Sequence, residues 1–414
     1  MFSEVPTFNP TLPNGISSFI EAVSQELVKL GHEVHIFEPS LFTGQKKRIK
    51  MKENLIKHNL FSVGIGGYKG FRTSFPLGTV FKRMKEKFHV IHAHGPVVGV
   101  AASTLAWKQK CVKIVTYHTP GEHYSHYAPR FLPIRYNTIV DMLERLVYSS
   151  FDLMLTPADA IRKDLINRGF GAHKLFVLPN CVNLEENHKR ISEERMQGLR
   201  DQYKLNGKKI VLYVGRMSPE KRIPDIINLV PRIIKEAPDT HFLMVGKGPY
   251  LEQYRELARK KAPKDVTFTG YVSNEELSNF LKMSRLGVIF VDGAQVFDIT
   301  LLNYWSNHLA VCVRRAGGMG DVVSHSDNGM LFDKPRDAFD HLITLLNDDK
   351  LCKKLGNRGY ETVRDKYSVE VVTKQMLGYY KLAAEKFQSK EIGALTQFTK
   401  LFRRKKAPKK VREN

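Results

Sequence analysis

The sequence has little that would staple, span or repeat. Its 414 residues hold only four cysteines, Cys111, Cys181, Cys312 and Cys352, set far apart with no CxxC pair. That excludes a disulfide-built scaffold and a cysteine zinc site, and it fits reduced thiols. No run approaches the ~18 apolar residues of a membrane-spanning helix. The opening MFSEVPTFNP lacks the basic-then-apolar order of a secretory signal, and neither half shows a short-period repeat. Acidic residues are also scarce, 42 against 65 Lys and Arg, for a net charge of +23. What is present is an ordinary globular composition, 42% apolar and 10% aromatic. The length suits two domains of about 150–200 residues each. The expectation is a soluble, intracellular, two-domain protein.

The excess charge is concentrated. Gly44–Lys87 contains twelve Lys/Arg against Glu53 and Glu86, a net of +10, and Lys386–Asn414 carries a net of +8. Both stretches interleave apolar residues. Lys82, Arg83, Lys85 and Lys87 fall among Phe75, Leu77, Val80, Phe81 and Met84, and Leu395, Phe398, Leu401 and Phe402 precede Arg403 and Arg404. Basic and apolar residues mixed at helical spacing suit an interfacial helix on anionic lipid. The plainer alternative makes Phe81 and Met84 core positions and the tail a solvated charge run. No helix-turn-helix, RNP or zinc-finger pattern accompanies the charge, so lipid is favoured and nucleic acid is not.

Along the chain, short apolar runs alternate with amphipathic ones. HEVHIF, HVIHAH, VKIVTYH and DLMLTP read as strands, with helices over Ser17–Leu30, Asn137–Ser149 and Ala158–Arg168. The second half repeats the pattern, with strands Lys209–Val214, His241–Val245, Val266–Phe268, Leu286–Phe290 and Ala310–Val313. Its helices are Ile223–Glu236, Tyr250–Lys261, Asn274–Met283 and Arg336–Asn347. Such alternation predicts an α/β protein of two Rossmann-like, doubly wound domains facing a cleft. The expected divisions are residues 1–180 for acceptor and membrane binding, 181–370 for the donor, 371–385 as a helix crossing back, and 386–414 as a basic tail. Ligands in such sheets sit beyond the carboxyl ends of the strands.

Three segments place phosphate chemistry at such ends. VLYVGRMSPEKR brings Arg216 and Lys221 past a strand and a Ser-Pro turn, one guanidinium and one ammonium able to neutralise a diphosphate without metal. RAGGMGDVV follows a buried strand, and its glycines let backbone amides approach an anion; Asn14-Gly15-Ile16 stands before the first helix. His92 and His94 lie two apart, but no carboxylate or cysteine at ligand spacing completes a metal site.

The serial order of NGI, VIHAHGP, TYHTPGEHYSHY, LPNCVNLE, VGRMSPEKR, MVGKGPY, FTGYVSNEEL and RRAGGMGDVV resembles the retaining family 4 glycosyltransferases of GT-B fold, to about Lys386. TYHTPGEHYSHY is most similar to the bacterial diacylglycerol glucosyltransferases, which carry a basic, amphipathic membrane-binding segment in the N-terminal domain. The resemblance implies that Arg216 and Lys221 hold a donor diphosphate and that Gly15, Gly317 and Gly318 lend it backbone amides. It implies that Val272 meets the base through its backbone and His118 the transferred sugar. The family needs no metal and no cofactor beyond the nucleotide-sugar substrate.

One departure concerns the chemistry. The family's two glutamates, one at the sugar and one at the ribose, fall on Gln295 and Asn303, which offer no negative charge to an oxocarbenium-like transition state. Asp298, where the family has glycine, or Asp292 is the available substitute. Cys181 and Asn183 stand for a usual Gly and Asp, and Arg315 and Asp321 alter the flanks of the glycine loop. Met1-Phe2-Ser3-Glu4 reads as the end of a first strand.

The expected function is transfer of a hexose, UDP-linked, to a lipid acceptor with retention, at the inner face of a membrane. The alternative is a catalytically impaired relative that binds nucleotide, lipid or a partner glycosyltransferase. An epimerase of similar fold would need acid and base carboxylates that have no evident place.

Overall fold

Strands such as KIVLYV and THFLMV are apolar on both faces, so they are stable only where helices cover both sides of a sheet. A computed structural model describes residues 1–8, 15–39, 48–60, 63–64, 72–73, 86–118, 136–187, 192–292 and 297–404. It shows two such sheets. The first combines β1 (Phe2–Ser3), β2 (Val34–Pro39), β3 (Arg48–Lys52), β4 (Leu55–Leu60), β7 (Val90–His94), β8 (Val112–Thr116), β9 (Leu153–Thr156) and β10 (Leu175–Val177). Their order is β10-β9-β8-β7-β1-β2-β4-β3, parallel except for the β3–β4 pair, while β5 (Val63–Gly64) and β6 (Arg72–Thr73) form a separate antiparallel ribbon. The second sheet, β13-β12-β11-β14-β15-β16, is parallel throughout. It is built from β11 (Lys209–Val214), β12 (Thr240–Val245), β13 (Val266–Gly270), β14 (Leu286–Ile289), β15 (Ala310–Arg314) and β16 (Met330–Phe332). The α/β, doubly wound expectation therefore holds for both halves.

Most expected elements fall where the periodicity puts them, within two or three residues at their ends. Part of Gly44–Lys87, read from its charge alone, instead supplies β3 and β4. β3 is an exposed edge strand whose Arg48, Lys50 and Lys52 discourage pairing with another chain. Helix Pro96–Gln109, rich in small residues and nearly without amphipathic contrast, escaped the pattern altogether.

Helix Val369–Arg404 completes the cover of the first sheet. Val369, Val372, Met376 and Ala383 are buried with Phe19, Ile20, Val23 and Leu27 of helix Gly15–Lys29 and with Ile114, Leu153 and Leu155 of the sheet. The chain leaves the first sheet and returns to it at one place, where Val182 N donates to the Tyr367 carbonyl (3.1 Å) and Val369 N to the Val182 carbonyl (3.0 Å).

Histidines are prominent among the polar groups buried at this sheet. His92 Nδ1 meets the Tyr380 hydroxyl of the returning helix at 2.8 Å, and His92 Nε2 meets Thr116 Oγ1 at 2.7 Å. The His92 ring stacks on His94, whose Nδ1 lies 2.9 Å from His118 Nε2. Burial holds all three neutral. His118 is pushed down to about 3, and His92 and His94 also lie well below the ordinary imidazole value. Farther out, His58 falls to about 4 through burial and the neighbouring His35 and Arg48.

A histidine with a lowered folded-state pKa takes up its proton more readily in the unfolded chain. Stability is therefore complete above about pH 6.5 and falls as the pH drops from there, by ~1.4 kcal/mol per pH unit for each such histidine. Urea unfolding between about pH 6.5 and 5 should show this decline, and His118→Gln should make the slope shallower by about one proton. An unchanged slope in that variant would show that His118 titrates normally.

Candidate functional site

The carboxyl edges of the two sheets face each other, and the second sheet supplies most of the polar groups. β11 ends at Val214, and Gly215 to Arg222 turn into helix Ile223–Glu236 through a single 3-10 turn, Pro219–Lys221. This loop is braced by its neighbour. Gly215 N donates to the Val245 carbonyl (3.0 Å), Met217 N to that of Lys247 (2.9 Å), and the Tyr213 hydroxyl to that of Arg216 (2.9 Å). A Cβ at Gly246 would collide with the Gly215 carbonyl, and one at Gly248 with the Met217 backbone, so MVGKGPY needs both glycines for this approach.

Lys221 reaches from that turn to Asp298. Its Nζ lies 2.6 Å from Asp298 Oδ2, and both side chains are largely buried, at 16% and 14% exposed. The other carboxylate oxygen accepts from Thr300 N at 3.0 Å, so Asp298 also caps helix Ile299–Ser306. Burial alone would raise the Asp298 carboxyl. The Lys221 ammonium and the Thr300 hydrogen bonds outweigh it and hold Asp298 ionised, below its ordinary value.

The glycine loop joins the same place. Asp298 N donates to Met319 Sδ at 3.5 Å. Gly317 takes a positive φ of 49°, while Gly318 is fixed by packing, because a Cβ there would meet Ala158 of the first domain and the Phe297 backbone. Gly15, at the start of helix Gly15–Lys29, approaches Ile299, with 3.8 Å between its Cβ position and Ile299 Cγ2. The structure thus gathers Gly15, Lys221, Asp298 and the Gly317-Gly318 loop around the starts of two helices. Arg216 lies half-buried at the end of β11, and Val272 stands just past the end of β13, partly buried against the core. Asn303 is half-buried one turn along from Asp298, and its carbonyl accepts from Ser306 Oγ and Asn307 Nδ2.

Asp292 joins the same edge, its N donating to the Glu220 carbonyl (2.8 Å) and its carboxylate meeting Arg314 at 3.3 Å and Arg222 at 3.8 Å, whereas Asp298 is the carboxylate that meets Lys221. Gln295, Lys82, Arg83 and Lys85 lie outside the described residues. Lys87 is exposed just before β7. Arg403 and Arg404 end the long helix, and their side chains also lie outside the description. Among the described residues no group of three His, Cys, Asp or Glu is arranged to hold a metal ion, and no helix is long and apolar enough to cross a membrane.

His118 projects beyond β8, 8% exposed, with the Phe19 ring edge-on at 5.6 Å. His94 defines its chemistry. Among the described residues Nε2 of His94 has no hydrogen-bond partner, and it is buried; a buried unpaired N–H is costlier than a buried lone pair. The arrangement that avoids this puts the hydrogen of His94 on Nδ1, donating to His118 Nε2. His118 then carries its own hydrogen on Nδ1. A neutral imidazole in this tautomer is a hydrogen-bond donor through Nδ1 and a poor general base near neutrality.

Several contributors gave no sequence signal. Asp321, noted only as an altered flank, accepts from Ala160 N of the first domain at 2.8 Å, and Asn180 Nδ2 donates to the Phe297 carbonyl at 2.9 Å. Such cross-domain partners have no spacing to read.

Comparison with known proteins agrees with this geometry. Residues 13–186 match the profile Glycosyltransferase Family 4, and residues 197–362 match Glycosyl transferases group 1. The alpha-monoglucosyldiacylglycerol synthase of Acholeplasma laidlawii is 23% identical over 374 residues, covering 88% of this chain and 92% of the relative. The Streptococcus pneumoniae enzyme of the same name is 26% identical over 354 residues, with 83% and 78% covered. In structure, the Anabaena protein HepE in complex with UDP and glucose aligns with a TM-score of 0.71 at 14% identity, over 92% of this chain and 98% of that one. With its two sheets matched in order by the two halves of one architecture, the chain belongs to the group 1/family 4 glycosyltransferases and has the GT-B fold.

Proposed function

We propose that this glycosyltransferase moves a hexose from a UDP-linked donor to a lipid acceptor, with retention of configuration. The observation that carries the reading is the convergence of Lys221, Asp298, Gly15 and the Gly317-Gly318 loop at the facing edges of the two sheets. The names of the two synthases support a diacylglycerol-type acceptor, and the UDP bound to HepE supports the donor class.

In this reading the donor diphosphate lies between Arg216 and Lys221, with backbone amides of the glycine loop and of Gly15 toward its oxygens. The acceptor hydroxyl attacks the anomeric carbon on the face that the diphosphate leaves. The bond from that carbon to the phosphate oxygen breaks, the bond to the acceptor oxygen forms, and the acceptor proton passes to the departing phosphate. His118 donates to a sugar hydroxyl through Nδ1 and orients the ring. Val272 receives the base through its backbone, and Asn303 offers an amide to the ribose.

Asp298 has two consequences for this scheme. It already neutralises Lys221, so the incoming diphosphate competes with an internal carboxylate for one ammonium. Once displaced, that carboxylate stands beside the reacting sugar and supplies the negative charge that Gln295 and Asn303 lack. The site acts on a lipid at a membrane surface, with the basic stretches of the chain drawn to anionic headgroups.

The direct test offers a panel of radiolabelled nucleotide sugars to the full chain with anionic liposomes containing diacylglycerol. A labelled glycolipid is expected. Nucleotide binding without any product would leave a nucleotide-binding scaffold as the reading. Replacing both Arg216 and Lys221 by Ala should abolish nucleotide binding in calorimetry, and unchanged affinity would sink the diphosphate assignment. Asp298→Asn should lower turnover by about 10²-fold without weakening nucleotide binding. Full turnover in that variant would remove the carboxylate from the mechanism.

A further inference from the structure

Large apolar side chains left in solvent are not scattered evenly over this molecule. Among the described residues, four of the most exposed sit on two neighbouring helices of the first domain: Val100 at 51%, Trp107 at 80%, Met142 at 62% and Leu146 at 69%. Val100 and Trp107 lie seven residues apart on helix Pro96–Gln109, and Met142 and Leu146 four apart on helix Tyr136–Ser149. Each pair therefore shares one face of its helix.

The two helices cross where Gly99 meets Val147, and the hydroxyls of Ser103 and Ser150 touch at 3.1 Å. Val100 follows Gly99, and Leu146 precedes Val147, so both pairs flank the outer side of the same groove. They make one strip, which runs from Trp107 past Val100 and Leu146 to Met142. Both helices start from the carboxyl edge of the first sheet, the edge that carries His94 and His118, and Met142 is the end of the strip nearest that edge.

The rim of the strip is basic. Lys108 and Lys110 are exposed beside Trp107, and Arg145 is exposed beside Leu146. Lys113 Nζ reaches Ser103 Oγ at 3.0 Å, and Lys174 Nζ reaches the Ser149 carbonyl at 3.1 Å, both at the crossing end of the groove. Among the described side chains of the two helices the single carboxylate is Glu144, which is buried and paired with Arg168 at 3.1 Å. An exposed tryptophan among aliphatic side chains, ringed by Lys and Arg, has the composition that settles at the headgroup–acyl boundary of an anionic bilayer.

We propose that this strip inserts shallowly into an anionic lipid bilayer and sets the cleft against its surface. The inference rests on the lipid-acceptor reading for its choice of a bilayer over a protein partner. It goes beyond that reading by naming an apolar insertion face separate from the basic segments. Those segments draw the protein to charge, whereas the strip gives it depth and orientation. An acceptor hydroxyl at headgroup level then lies beside the edge from which His118 projects.

Trp107 reports on this directly, because Trp305, the other tryptophan of the chain, is fully buried. The full chain is mixed with vesicles of phosphatidylcholine, with and without phosphatidylglycerol. Fluorescence and flotation are read together. The expected result is a blue shift and protection from acrylamide on the anionic vesicles, both absent in Trp107→Phe. Leu146→Glu and Met142→Glu alter exposed positions and should retain the wild-type circular dichroism. Each should weaken vesicle partitioning by about tenfold or more and abolish the shift.

Flotation with no change at Trp107 would overturn the insertion face while leaving the lipid reading intact, since the basic segments alone would then be holding the protein. Failure to float on either vesicle would count against both. A blue shift that rises with protein concentration in the absence of lipid would assign the strip to contact between copies and overturn the proposal.

Discussion

Burial of both faces of two parallel sheets is the constraint from which the rest follows. A parallel strand cannot turn straight back, so every connection must cross a face, and every loop that follows a strand gathers at one edge. Strands that are apolar throughout, such as Val211–Val214 and Phe242–Val245, make that cover obligatory. In the first domain the local helices leave one face incomplete, and helix Val369–Arg404 closes it with Val372, Met376 and Ala383. The loops at the facing edges are thereby anchored on two cores.

The chemistry at those edges departs from a bare cationic pocket. Lys221 is matched by Asp298, and Asp298 is held in turn by the amide of Thr300. A cation prepared for an anion but already satisfied by one is less attractive to unrelated phosphates than an open ammonium. Across the cleft, burial keeps the His92–His94–His118 series uncharged, and Tyr380 ties its far end to the returning helix. The second domain's side of the cleft thus presents a buried ion pair, and the opposite side a series of neutral imidazoles.

Much of the architecture was legible because most of the sheet strands and helices announce themselves through local periodicity. The β11 strand and helices Ile223–Glu236 and Asn274–Met283 fall at the expected residues. Helix Pro96–Gln109 did not show itself, since its alanines, serine and threonine leave no polar-apolar contrast. β3 was hidden beneath a run of Lys and Arg that an edge strand tolerates on its solvent side, and β4 was taken in with the same charged stretch. At the site, the resemblance located Arg216, Lys221 and the glycine loop as motifs. It could not show that Lys221 is paired, because that pairing joins residues 77 positions apart. His94 illustrates the same limit. Its role emerges from one unpaired nitrogen and one neighbour, both products of strand register rather than of spacing.

The chain passes between the domains at two points of its length, and these coincide: the Val182 backbone is bonded to both Tyr367 and Val369. Two passages made at one place act as a hinge pin. They resist sliding and separation of the domains, and they leave rotation about that point as the motion that breaks the fewest bonds. Such a rotation would part Asp321 from Ala160 and lift Gly15 away from Ile299, while Val182 and its two partners stay joined. The molecule is therefore tied at a single crossing of its backbone, and among the described residues the facing edges meet through side-chain and loop contacts alone.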